Sequence, residues 1–338
     1  MSAPLVLIDA DVLGRQRTGD ESYVAGLLEH LPALGPELRY AAVTRSPELV
    51  PKGVEAIPLA ARSQELRMLW TLPRLIRRLR PALVHTLHAV PARCPVPAVV
   101  TVQDLSFERD PLAMPWRDRL IFRTIVPRAV RRAQRVLTIS ERTKRDIVEL
   151  YGTPPDKVVV THLGVDPVYA PDGTPADEYL LFVGAIQPRK DPLAAARAAR
   201  ALGRPLVAVG PIRDRTLAAE LTALGVELRG YVEKEELAAL YRHAACLVLP
   251  SRFEGFGLPV VEAMASGTPV VAAPDPALAE IAGEAAILAA PDQLAAAIER
   301  ALAEREHFVR AGLKRARLFR WEETARRVRE VYLEVIGL

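Results

Sequence analysis

Only two of the 338 residues are cysteine, Cys94 and Cys246, far apart and in apolar surroundings. That excludes a disulfide framework and a thiolate metal cluster, and it points to a reducing, cytoplasmic setting. Aromatic residues make up 5% of the chain. No stacking platform or DNA-binding motif accompanies its basic residues, so nucleic acid is not an expected partner. No apolar run reaches the roughly eighteen residues that a membrane-spanning helix requires. Met1–Asp11 is apolar but carries Asp9 and Asp11, and it lacks both a basic start and a small-residue cleavage site. It reads as a strand and not as a secretory leader.

What is present is hydrophobic bulk and an uneven charge. Half of the residues are hydrophobic, enough for two domains. The net charge is +4, yet the segment from Arg62 to Arg135 holds fifteen arginines against five acids. Arg74-Leu-Ile-Arg77-Arg78-Leu-Arg80 and Arg128-Ala-Val-Arg131-Arg132 place these cations on the polar faces of amphipathic helices. A solvated face is the first reading of such a block. Peripheral contact of 62–135 with an anionic inner membrane face is the second.

Short β-branched runs alternate with helical patterns. Pro4–Asp9, Tyr40–Val43, Leu83–Thr86, Ala98–Val102, Arg135–Ile139 and Val158–Thr161 read as buried strands. Helical patterns at Glu21–Leu31, Gln64–Leu79, Asp118–Arg132 and Glu141–Leu150 separate them. After a proline-rich stretch, Gly164–Glu178, the alternation restarts at Leu180–Val183. The expected architecture is α/β, with two doubly wound, Rossmann-like halves of parallel sheet. The expected boundaries are 1–166, joined by a returning helix in 321–338, and 167–320. Ligands of such sheets bind beyond the carboxyl ends of the strands.

The strongest motif sits at such an end. Strand Cys246-Leu-Val-Leu is followed by Glu254-Gly-Phe-Gly-Leu-Pro-Val-Val-Glu262. Gly255 and Gly257 permit close backbone approach, and Pro259 suits a first helical turn. A helix starting here offers free N–H groups and partial positive charge to a phosphate. Glu254 on the loop and Glu262 near the first turn bracket that position. A second motif, Gly184-Ala-Ile-Gln-Pro-Arg189-Lys190, follows strand Leu180–Val183. Two adjacent cations there suit a diphosphate leaving group, and at a helix start they oppose the dipole unless an anion arrives.

These segments resemble the signature of glycosyltransferase family 4, retaining enzymes of GT-B fold whose two Rossmann-like domains face each other across a cleft. The likeness is most specific from Tyr179 to Gly283. It implies transfer of a sugar from a nucleotide diphosphate donor to a glycan or lipid-linked acceptor, with mannose-type donors a fitting guess. The donor is a substrate and no separate cofactor is expected; with no His/carboxylate cluster in the sequence and Asp9-Ala-Asp11 only a weak metal candidate, metal independence is expected. By resemblance, Glu262 binds the donor ribose, Glu254 lies beside the transferred sugar, and the backbone of Phe256, Gly257 and Leu258 touches sugar and phosphate. Arg189 and Lys190 meet the diphosphate. Val232, in Gly230-Tyr231-Val232, matches the segment that contacts the base, although an ordinary strand-to-helix turn explains it equally. Gly210 belongs to the same edge.

In the first half, Gly14-Arg-Gln-Arg-Thr-Gly19 precedes a helix and is neither a dinucleotide fingerprint nor a P-loop. It resembles the family's glycine-rich loop, with Asp20 and Glu21 where relatives carry small residues. Gln103 stands where the family commonly has histidine; it hydrogen-bonds but takes no proton, which suits sugar binding. Asp104 orients neighbours or caps the next turn. His85 and His88 are the candidates for the acceptor side. A sugar-nucleotide epimerase and an inactive sugar-nucleotide-binding subunit are the alternatives. The first needs a proton-shuttling pair that is not evident.

Overall fold

A computed structural model describes the chain except for residues 1–2, 16–17, 60–62, 111–113 and 175 and the side chains of 18 and 65. It contains two compact units. The first comprises Met1–Arg109, Met114–Gly164 and Trp321–Leu338; the second comprises Asp110–Ala113 and Val165–Arg320.

The first unit is built on seven parallel strands: β1 Leu5–Asp9, β2 Arg39–Thr44, β3 Val54–Pro58, β4 Leu83–Leu87, β5 Ala98–Val102, β6 Arg135–Thr138 and β7 Val158–Val160. Their order is β3-β2-β1-β4-β5-β6-β7. Most of these strands are buried on both faces, as crossover helices require, so they read as continuous apolar runs. β3 is the exception. It is an edge strand, Val-Glu-Ala-Ile-Pro, mostly exposed, and its polar alternation hid it from the sequence reading.

Successive strand residues face opposite ways. Val84, Val100 and Val136 pack under helices Leu72–Leu79, Trp116–Arg132 and Glu141–Tyr151. Helix Trp321–Ile336 returns from the far end of the chain and packs against helix Thr18–His30 and against β4 and β6. Trp321 makes this docking exacting. A Cβ built on Gly26 would lie 2.5 Å from its ring, so glycine lets the two helices meet.

The second unit has six parallel strands: β8 Leu180–Val183, β9 Leu206–Val209, β10 Glu227–Gly230, β11 Cys246–Leu249, β12 Val270–Ala272 and β13 Ile287–Leu288, in the order β10-β9-β8-β11-β12-β13. Its helices are capped locally: Asp191, Asp214 and Asp275 accept from Ala194, Leu217 and Ala277 backbone N–H groups. In each sheet the winding reverses at one place, between β1 and β4 and between β8 and β11. Those are the positions where ligands of open α/β sheets bind.

Gly26→Ala should strain the Trp321 contact and cost about 1–3 kcal/mol of stability. Urea unfolding checks it; wild-type stability in the variant would mean that the helix does not dock on Gly26.

Candidate functional site

Both cations and one carboxylate of the second unit meet at its β8/β11 reversal. β8 leads into a short 3₁₀ turn, Pro188–Lys190, and Asp191 then caps helix Pro192–Ala201. This corrects the sequence reading, which put Arg189 and Lys190 at the helix start itself. The intervening aspartate shields them from the opposing dipole. Lys190 Nζ lies 2.5 Å from Glu254 Oε1, and Arg189 Nη1 donates to the Phe253 carbonyl at 2.5 Å. The Arg252 N–H donates in turn to the Arg189 carbonyl at 3.0 Å, so the two loops are stitched together. Glu254 is buried, not solvated. Burial alone would raise its pKa, but the charges of Lys190 and Arg189 outweigh that and hold the carboxyl below its ordinary range.

Gly257 turns the chain from this loop into helix Leu258–Ala265. Its φ is +97° and a Cβ would stand 2.4 Å from Leu278 Cδ2, so no other residue fits without displacement. Phe256 is buried edge-on against Phe319 at 5.7 Å between ring centroids. Leu258 is half-buried at the helix start. Glu262 lies past the first turn, so complementing the helix dipole does not explain it. It is buried and accepts a hydrogen bond from the Tyr241 hydroxyl at 2.8 Å. Burial pushes its pKa up to about 7, and hydrogen bonds from Tyr241 and Tyr169 only partly offset this. The sequence reading missed both tyrosines. Gly210 ends β9, where its N–H donates to the Gly230 carbonyl and a Cβ would stand 2.2 Å from the Gly184 carbonyl oxygen. Val232 is half-buried just after β10.

In the first unit, helix Thr18–His30 begins earlier than expected, so Gly19, Asp20 and Glu21 form its first turn and not a loop. Gln103 follows β5 and is buried. Its Nε2 finds no hydrogen-bond partner among the described residues, and its Oε1 would lie 3.5 Å from a Cβ on Gly19. A buried amide with spare donors awaits an acceptor. Asp104 Oδ1 accepts from the Ser106 N–H at 2.8 Å, which is the capping alternative. His88 follows β4 with a φ of +58°, uncommon for a residue with a side chain, and its Nε2 is 3.5 Å from Asp20 Oδ1. Burial opposes its charge, but the hydrogen bond and charge of Asp20 prevail and raise its pKa.

His85 is not an acceptor residue. It lies within β4, bonded to the Tyr332 hydroxyl at 2.5 Å and to Thr101 Oγ1 at 2.7 Å, and burial drops its pKa to about 3. Its neutral ring ties the returning helix to the sheet. Among the described residues, no three His, Cys, Asp or Glu side chains gather as a metal site.

Two family models match, Glycosyltransferase Family 4 over residues 17–169 and Glycosyl transferases group 1 over residues 177–304. The O-antigen chain mannosyltransferase B of Escherichia coli is 31% identical over 258 residues, covering 67% of each chain. The chain belongs to glycosyltransferase family 4. It spans 51–60% of the length of other curated relatives that it matches. The fold matches solved structures over their full length. Sucrose-phosphate synthase from Thermosynechococcus elongatus superposes with a TM-score of 0.80 at 23% identity, covering 99% of this chain and 100% of that one. Anabaena HepE, solved with UDP and glucose, gives 0.73 at 14% identity, covering 98% and 99%. The two parallel sheets are thus those of the GT-B class of this family.

The raised pKa of Glu262 predicts a pH dependence. The folded protein holds a proton that the unfolded chain releases at about pH 4.5, so this contribution is full below that pH and is lost as pH rises through about 7. Glu262→Gln should remove a decline of up to about 3 kcal/mol across that window. Urea unfolding at about pH 5 and about pH 8 tests it. Equal wild-type and variant slopes against pH would contradict the assignment.

Proposed function

We propose that the chain is a retaining glycosyltransferase that moves a hexose, mannose being the favoured candidate, from a nucleotide diphosphate donor to a glycan or lipid-linked acceptor. The observation that carries this reading is the convergence of Lys190, Arg189 and Glu254 beside the start of helix Leu258–Ala265. A departing diphosphate gains negative charge as the glycosidic bond breaks. Two cations and a helix N-terminus already in position stabilise that charge with little reorganisation.

Each residue then has a task. Lys190 and Arg189 take the diphosphate and supply its counter-charge. Glu262 accepts from the ribose hydroxyls, with Val232 and Gly210 on the nucleotide side. Glu254 and the backbone of Phe256, Gly257 and Leu258 hold the transferred sugar. On the first unit, taken by itself, Gly19 and the buried amide of Gln103 are the candidates for sugar contacts and His88 for the acceptor. The bond from anomeric carbon to diphosphate oxygen breaks with its electron pair on the diphosphate. The acceptor oxygen bonds the same face of that carbon, and its proton passes to the departing diphosphate.

Incubation with a panel of nucleotide sugars separates the alternatives: free nucleoside diphosphate marks a transferase, an isomerised donor marks an epimerase, and an unchanged donor marks binding alone. NMR of the product linkage reads retention. Lys190→Gln should lower turnover about 10²–10³-fold. It should also destabilise the fold, because it strands the Glu254 carboxylate in the interior. Adding Glu254→Gln should restore stability without restoring transfer, and a double variant as active as wild type would refute the site.

The basic block supports a membrane contact. Trp116, Leu120 and Ile121, together with Leu69 and Trp70, are exposed beside its arginines, with Arg74 over the Trp70 ring at 5.1 Å. No helix of the described residues is long and apolar enough to cross a membrane. Such a surface suits anionic lipid. Neutralising Arg77, Arg78 and Arg80 should weaken affinity for phosphatidylglycerol vesicles about 10²-fold, read by sedimentation; unchanged sedimentation would argue for a merely solvated face.

A further inference from the structure

The carboxyl ends of β1, β2 and β3 hold a cluster that the proposed donor chemistry does not use. Asp11, just past β1, is 3% exposed and accepts from three guanidinium groups at once. Arg15 and Arg67 bond its Oδ2, and Arg45 Nε lies 2.8 Å from its Oδ1. Arg67 also has Nη2 3.5 Å from Asp9 Oδ2. Burial raises the pKa of Asp9, and Arg67 only partly counters it. Among the described ion pairs, three guanidinium groups thus meet two carboxylates, those of Asp11 and Asp9.

That balance is costly for a purely structural network. Like charges repel, and buried guanidinium donors without partners carry a desolvation penalty. Arg67 is 7% exposed, yet its Nε has no hydrogen-bond partner among the described residues, and Arg15 Nε has none either. Arg67 opens a π-helical stretch, Arg67–Thr71, which spends hydrogen-bond regularity to place it. The side chains of Arg15 and Arg45 remain 22% and 36% exposed, so the cluster is open to solvent on one side. It also lies where parallel strands present ligands.

We infer that Asp11 is the scaffold of a phosphate-binding site in which Arg15, Arg45 and Arg67 hold a phosphate monoester carried by the acceptor. The acceptor assignment rests on the glycosyltransferase reading; the phosphate site does not. A phosphate monoester carries close to two negative charges and several acceptor oxygens, matching the surplus cations, and guanidinium groups bind it in bidentate fashion.

The test is thermal unfolding of the full chain with inorganic phosphate, glucose 6-phosphate, or sodium chloride at equal ionic strength. Phosphate at about ten times its Kd should raise Tm by about 2–4 °C beyond the chloride control. Arg45→Gln, the most exposed member, should abolish that rise while keeping the rise given by UDP or GDP. Lys190→Gln/Glu254→Gln should do the reverse. A phosphate response that survives in Arg45→Gln, or is absent from wild type, overturns the site. A glucose 6-phosphate shift no larger than that of phosphate assigns the site to a free ion and overturns the acceptor assignment. Loss of the nucleotide response in wild type would instead strike the glycosyltransferase reading and leave the phosphate result standing.

Discussion

The ion pair of Lys190 and Glu254 is the constraint on which the second unit's site depends. Both side chains are largely out of water, so neither tolerates the absence of the other. The pair holds the β8 loop against the β11 loop, and the Arg189–Phe253 hydrogen bond repeats the tie one residue along. A cation kept charged in a dry pocket is a strong electrostatic tool. It is also strongly coupled to its partner. Glu254 therefore has a structural duty beside any contact with sugar, and substitutions there report on both.

Glu262 is held differently. Among the described residues it is hydrogen-bonded by two tyrosine hydroxyls and forms no ion pair, so burial dominates and the carboxyl is poised near neutrality. Two glutamates eight residues apart thus occupy opposite electrostatic regimes, one held ionised by Lys190 and the other kept near its titration point by an apolar helix face. The sequence shows two equal acids. The difference comes from tertiary packing, which buries Glu262 beside tyrosines and sets Lys190 and Arg189 beside Glu254.

Much of the architecture was legible because buried parallel strands are written as β-branched runs. Leu180–Val183, Leu206–Val209, Cys246–Leu249 and Ala98–Val102 coincide with their strands. What escaped was marginal by the same physics. β3 is an exposed edge, and β13 has two residues. The site motifs were readable where a special backbone demanded special residues, as at Gly257. The fate of single polar side chains was not. Neither histidine in and after β4 announces its role, yet His85 is locked neutral between Tyr332 and Thr101 while Asp20 raises the pKa of His88. Those partners lie far along the chain or on another element, and no local pattern reveals them. The arginine surplus of 62–135 was visible as composition, but the gathering of Arg15, Arg45 and Arg67 on Asp11 was not.

The returning helix Trp321–Ile336 sets an order of assembly. The second unit is nearly contiguous in sequence, whereas the first is unfinished until its last helix leaves the ribosome. Until then the Gly26 groove and the Tyr332 side of His85 have nothing to pack against. The later half therefore has all of its elements in hand before the earlier half, which waits for 321–338.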